Sequence, residues 1–144
     1  PALQSWLFAP HVAAYMLAYV MMAKAGVQAV GQLLYQGREE GGAYELGTYR
    51  MVCLGFPLLS LGLILGSWWG KIAWGDYWNW DPKELWSLVS WLAYLGYLHF
   101  RYTFGKKWPK INSVIALGGF LAIVITLLWA NLARIFTGLH SYAS

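Results

Sequence analysis

Residues 51–86 read MVCLGFPLLSLGLILGSWWGKIAWGDYWNWDPKELW, an uncharged apolar run that gives way to a tryptophan-rich segment and closes on Asp-Pro-Lys-Glu and a last tryptophan. From Met51 to Trp69 there is no Asp, Glu, Lys or Arg. A helix needs ~20 apolar residues to cross a hydrocarbon core of ~30 Å, so this run reads as one membrane crossing. Similar segments lie on either side. One extends from Trp6 to beyond Ala23 and continues as an amphipathic stretch to Tyr35; others cover Leu85 to Tyr102 and Ile111 to Leu132. The expected fold is an all-α integral membrane protein, a bundle of about four transmembrane helices with an external tryptophan-rich loop. A polar connector from Gln36 to Arg50 and a basic one holding Lys106, Lys107 and Lys110 complete the chain.

Composition agrees with that setting. Of 144 residues, 59% are hydrophobic and 11% charged, too apolar a balance for a water-facing surface. The net charge of +4 does not point to nucleic acid, because the cations sit at the ends of apolar runs rather than in a polar patch. Their distribution instead predicts orientation. Arg38, Arg50, Arg101, Lys106, Lys107 and Lys110 fall on one side, and Lys71, Lys83 and Arg134 on the other. The first side is expected to face the cytoplasm, which puts both termini and the tryptophan loop outside. Lys24 is placed to snorkel toward a headgroup. Cys53 is the only cysteine, so the chain has no disulfide and no Cys-x-x-Cys-His segment of its own. No repeat or linker divides residues 1–144, which read as a single domain or as the C-terminal part of a larger protein.

Six of the ten tryptophans stand between Trp68 and Trp86. Tryptophans at a bilayer surface ordinarily form an interfacial belt, but a belt is scattered over several helix ends. Concentrated in one loop, with Gly70 and Gly75 to let backbone come close, they instead offer flat faces and N–H donors to a large planar ligand. Porphyrin is the candidate. Asp81, Pro82 and Glu84 have a structural reading as a capping box that opens the third helix, against a direct role in binding a cation.

The three histidines complete the pattern. One histidine at a helix end is by default a packing or interfacial residue, yet His11 and His140 are both expected on the face of the tryptophan loop. Neutral imidazoles there suit the two axial positions of haem iron. His99 follows Glu84 by fifteen residues, or ~22 Å of helix at 1.5 Å per residue. It cannot serve the same iron, and is either an interhelical hydrogen-bonding residue or half of a second site.

Residues 74–101, WGDYWNWDPKELWSLVSWLAYLGYLHFR, resemble the WWD signature of the haem-handling proteins. The WDPKE and YLHFR elements, and the ending Gly138-Leu139-His140-Ser141-Tyr142, are similar to the CcsA/ResC branch, the System II cytochrome c biogenesis proteins. The resemblance implies that His11 and His140 ligate haem b outside, that Trp74, Tyr77, Trp78, Trp80 and Trp86 cradle it, and that His99 belongs to an inner haem site. Such members have more helices than four, so the second ligand for His99 must come from another polypeptide or from residues before Pro1.

Haem transport and presentation follow as the expected function, in the bacterial cytoplasmic or thylakoid membrane. The implied partners are a ResB/CcsB-like membrane protein and an apocytochrome c with a Cys-x-x-Cys-His segment, the chain being a component of a haem lyase. No residue stands out as the acid or base for thioether formation, so the chemistry belongs either to this chain or to a shared assembly. Two other readings compete: a haem-bearing electron-transfer subunit of a respiratory complex, disfavoured by the single histidine at depth, and a purely structural membrane subunit.

Overall fold

The computed structural model describes residues 6–136, with side chains described as far as Trp129. Four antiparallel helices make up the bundle: α1 (Phe8–Leu34), α2 (Glu39–Trp74), α3 (Pro82–Phe104) and α4 (Pro109–Phe136). Among the described residues, α1, α2 and α4 are long and apolar enough to cross a membrane. The remaining helix, α3, has 23 residues, enough length for a crossing, but it owes its bulk to Trp and Tyr. These residues are amphipathic and count for little on a hydropathy scale. The protein is thus an all-α membrane bundle.

The connectors are shorter than the sequence implies. Most of the expected polar connector, from Glu39 to Arg50, is helical, and α2 runs 36 residues, about 54 Å at 1.5 Å per residue. Glu39 and Glu40 lie in its first turn, where negative charge offsets the helix dipole. At its other end α2 takes in Trp68, Trp69 and Trp74 before Gly75 stops it with φ 89°. That left-handed cap suits glycine. The tryptophan loop therefore shrinks to the residues from Gly75 to Asp81, and Trp86 lies on α3.

One face of α1 is lined with small residues: Ala14, Ala18, Ala25 and Ala29 are buried there beside Met22. Against it α2 sets Gly41, Thr48, Val52, Gly55, Leu59 and Gly62. Small residues let membrane helices approach closely and recover dispersion energy where lipid supplies no hydrophobic drive. Tyr94 and Tyr97 from α3 and Ala116 and Ile123 from α4 finish the core. Helix α1 packs most closely on α2, and α3 on α4, whereas α2 and α3 meet over a much smaller area.

At the end away from the tryptophan loop, a buried polar lock joins three helices. Arg101 Nε donates to Glu45 Oε1 at 2.6 Å, and Asn112 Nδ2 donates to the same oxygen at 3.2 Å and to the Gly105 carbonyl at 3.1 Å. The guanidinium also lies 4.3 Å from the centre of the Tyr49 ring. Glu45 and Arg101 had the look of connector charges in the sequence. They are instead a buried pair, with side chains 3% and 12% exposed. Beside them Ser113 Oγ donates to Gln32 Oε1 at 2.7 Å, tying α4 to α1.

Candidate functional site

The site is built around His11, in the first turn of α1. Its Nδ1 donates to the Gly62 carbonyl of α2 at 2.8 Å, since a carbonyl can only accept. That bond fixes the tautomer and leaves Nε2 as the lone-pair nitrogen, the arrangement metal-bound histidines commonly use. The ring stacks on Trp69 at 5.9 Å and 18° between planes, and meets Tyr15 edge-on at 4.8 Å. Gly66 makes room for it, because a Cβ there would stand 2.6 Å from His11 Cε1.

Beside the imidazole lies a cavity of about 130 Å³, walled by Tyr15, Gly66, Trp69, Trp74, Tyr77 and Trp78 among others. Next to it a larger cleft of about 590 Å³ opens between α2 and α3, with Leu63, Ser67, Tyr77 and Trp78 in the walls of both. That is within the range of pockets that bury most of an organic ligand. Trp91 Nε1 donates to Ser60 Oγ at 2.8 Å, and the Trp91 ring stacks on Phe56 at 5.4 Å, so one polar tie and one ring pair span the gap.

The donor set suits haem. His11 offers an oriented nitrogen, the walls are flat and aromatic, and the buried Nε1 of Trp78 has no hydrogen-bond partner among the described residues. A buried donor without an acceptor is costly unless something else supplies one.

The expected site residues divide. His11, Trp74, Tyr77 and Trp78 come together at the cavity. Trp80 is 66% exposed and meets Trp78 edge-on at 5.6 Å without lining either space. It adopts φ 58°, a strained value for a bulky residue. Trp86 is carried by α3 and lines neither space. His140 lies outside the described residues. His99 bonds back to its own helix, Nδ1 to the Leu95 carbonyl at 2.9 Å, rather than across to a neighbour, and it is exposed on the outside of the bundle.

Gly70 and Gly75 do not bring backbone to the cavity. Gly75 caps α2, and a Cβ at Gly70 would stand 3.3 Å from the Asp76 carbonyl, so both serve the turn itself. Sequence reasoning missed Tyr15, Ser87 and the placing of Trp69 against His11. The four-residue spacings His11 to Tyr15 and Gly62 to Gly66 were the available signal, since such residues share a helix face.

The start of α3 holds the loop in place. Asp81 Oδ1 accepts from the Glu84 N–H at 2.8 Å, and Pro82 fills the first helical position. Glu84 departs from the expected capping box: its Oε2 accepts from the N–H of Asn79 at 2.7 Å rather than from that of Asp81, drawing the loop onto the helix end. Since a cap needs a side-chain oxygen and not a charge, Asp81→Asn is expected to be mild. Asp81→Leu should loosen the first turn by ~1 kcal/mol, read as faster hydrogen exchange at residues 84–86.

A helical membrane bundle with a histidine-edged, aromatic-walled cavity at one end defines the class. The sequence matches the family described as cytochrome c assembly protein over residues 1–137. The chain belongs to that family, and its similarity is to the CcsA type. It is 46% identical over 95 residues to the cytochrome c biogenesis protein CcsA of Rippkaea orientalis, 47% over 95 residues to that of Synechocystis, and 47% over 96 residues to that of Porphyra purpurea. Each alignment covers 66% of this chain and 27 to 29% of the relative. The chain thus spans well under two thirds of the relatives' length.

Proposed function

We propose that this chain is the haem-presenting part of a cytochrome c biogenesis protein, holding haem b at His11 for attachment to an apocytochrome c. The observation that carries the reading is the imidazole itself: Nδ1 is committed to the Gly62 carbonyl, the ring is stacked on Trp69, and the second nitrogen is left for iron. His140 would be the second residue to hold the haem in this reading. Trp74, Tyr77 and Trp78 would supply flat aromatic walls for the ligand.

Bound haem contributes vinyl groups able to form thioethers with the thiols of a Cys-x-x-Cys-His segment. The chain's part is positioning: a ligand held in one orientation beside the incoming peptide replaces a free encounter, an advantage of up to ~7–11 kcal/mol in favourable intramolecular systems. A ResB/CcsB-like membrane protein is the proposed partner in a lyase assembly. The membrane is the bacterial cytoplasmic or thylakoid one, with the tryptophan end outside. His99, exposed on α3, would hold haem only together with a residue from a helix of the partner or of a longer form of this chain.

The test is spectroscopic. With the chain in lipid nanodiscs, ferric haem should give a low-spin spectrum, His11→Ala or His140→Ala should turn it high-spin or haem-free, and added imidazole should partly restore it. Unchanged low-spin spectra in both variants would sink the assignment.

A further inference from the structure

The imidazole of His11 has a second side. A pocket of about 230 Å³ lies between α1, α3 and α4 and shares His11, Tyr15, Lys83 and Ser87 with the cavity beneath the tryptophans. Lys83 therefore stands in the wall of both spaces. It is exposed, and among the described residues its ammonium has no ion pair or hydrogen bond.

Two carboxylates, Asp81 and Glu84, line the tryptophan cavity with it, and both are tied to the start of α3. Asp81 Oδ1 and Glu84 Oε2 each accept a backbone N–H, from Glu84 and Asn79 respectively. Lys71, the other cation near this end with a described side chain, donates Nζ to the Gly75 carbonyl at 2.8 Å and lies 5.4 Å from the Tyr77 ring centre. It is committed to closing α2. Ser87 follows Lys83 by one turn on the same helix face and adds a hydroxyl, which lies against that of Tyr15.

An unpaired ammonium at the rim of a largely apolar space recognises an anionic group carried by an otherwise apolar ligand. On the far side of the tryptophan cavity the cleft between α2 and α3 is lined by Leu63, Ile64, Leu88 and Trp91, with no cation in its walls. The two sides are thus chemically unlike. We propose that Lys83, with the hydroxyl of Ser87, receives a carboxylate of the porphyrin held at His11. The apolar edge of the macrocycle is then left for the cleft between α2 and α3. This rests on the haem reading above and adds to it a positioning residue that decides which edge of the ligand faces which helices.

Titrating ferric protoporphyrin IX and its dimethyl ester into the chain in nanodiscs, followed by absorbance, separates the carboxylate contact from iron ligation. Wild type should bind the diacid more tightly than the ester. Lys83→Met should weaken the diacid by about three- to tenfold and leave the ester unchanged, and Lys83→Arg should restore the preference. Low-spin spectra that depend on His11 should persist throughout. Equal affinity of wild type for acid and ester, or equal weakening of both in Lys83→Met, would overturn the role of Lys83 while leaving His11 as the iron ligand. Loss of the His11 dependence would overturn both.

Discussion

Glu45→Ala is expected to destabilise the bundle by about 3–5 kcal/mol, because it leaves the Arg101 guanidinium buried without a counter-charge. The carboxylate holds Arg101 at 2.6 Å and Asn112 at 3.2 Å, so one substitution strips a partner from α3 and another from α4. The neighbourhood has little in reserve: Asn112 Oδ1 and the Tyr97 hydroxyl are already buried without partners among the described residues. Thermal unfolding in detergent should show the loss. The paired replacement Glu45→Leu with Arg101→Met should recover much of it, since two apolar groups need no desolvation offset. If Glu45→Ala melts like wild type, the pair is not buried in the membrane protein. If the double variant is as unstable as the single, hydrogen bonding to Asn112 rather than the charge pair holds this end together.

The second large effect is local and falls on the site. Gly66→Ala would place a methyl 2.6 Å from His11 Cε1 and 3.0 Å from Nδ1, closer than carbon and nitrogen tolerate. Either the imidazole swings away from the Gly62 carbonyl or α1 and α2 part. Overpacking of this kind costs about 1–3 kcal/mol, and the lost hydrogen bond about 1 kcal/mol more. Together they predict haem affinity lower by roughly ten- to a thousandfold. The helix should not suffer, because alanine is the better helix former by about 1 kcal/mol. Weak haem binding with unimpaired helicity is therefore the signature. Gly118→Ala, on α4 where a Cβ meets nothing within 4 Å, is the control and should bind haem as wild type does. Wild-type affinity in Gly66→Ala would show that the orientation of His11 does not govern the site.

These two positions mark where sequence reasoning ran out. Gly66 sits in an apolar run and reads as a membrane residue like its neighbours; only the crossing of α1 over α2 turns it into the seat of an imidazole. Glu45 and Arg101 are 56 residues apart, and nothing local pairs them. In sequence Glu45 falls in the polar connector and Arg101 among the charges of one side, because a charge near the end of an apolar run is usually solvated. The helical continuation of α2 to Glu39 carries Glu45 into the bundle instead.

What the sequence by itself determined rests on short-range physics. Apolar runs of bilayer length fix the membrane helices, and the Asp81 side chain with Pro82 fixes the start of α3, because both depend on residues a turn or two apart. The concentration of tryptophans before that cap also marked the end that carries the candidate site, and His11 joins it because two crossings, an even number, separate α1's start from α3's. Only the tertiary structure decided which aromatic residues meet the histidine. Trp69 stacks on it and Trp78 walls the cavity, while Trp80 and Trp86 turn elsewhere. The reason is that α2 and α3 carry bulky amphipathic rings around much of their circumference, so periodicity selects no single buried face. The small-residue seam between α1 and α2 draws those helices together, and the looser meeting of α2 with α3 leaves the cleft.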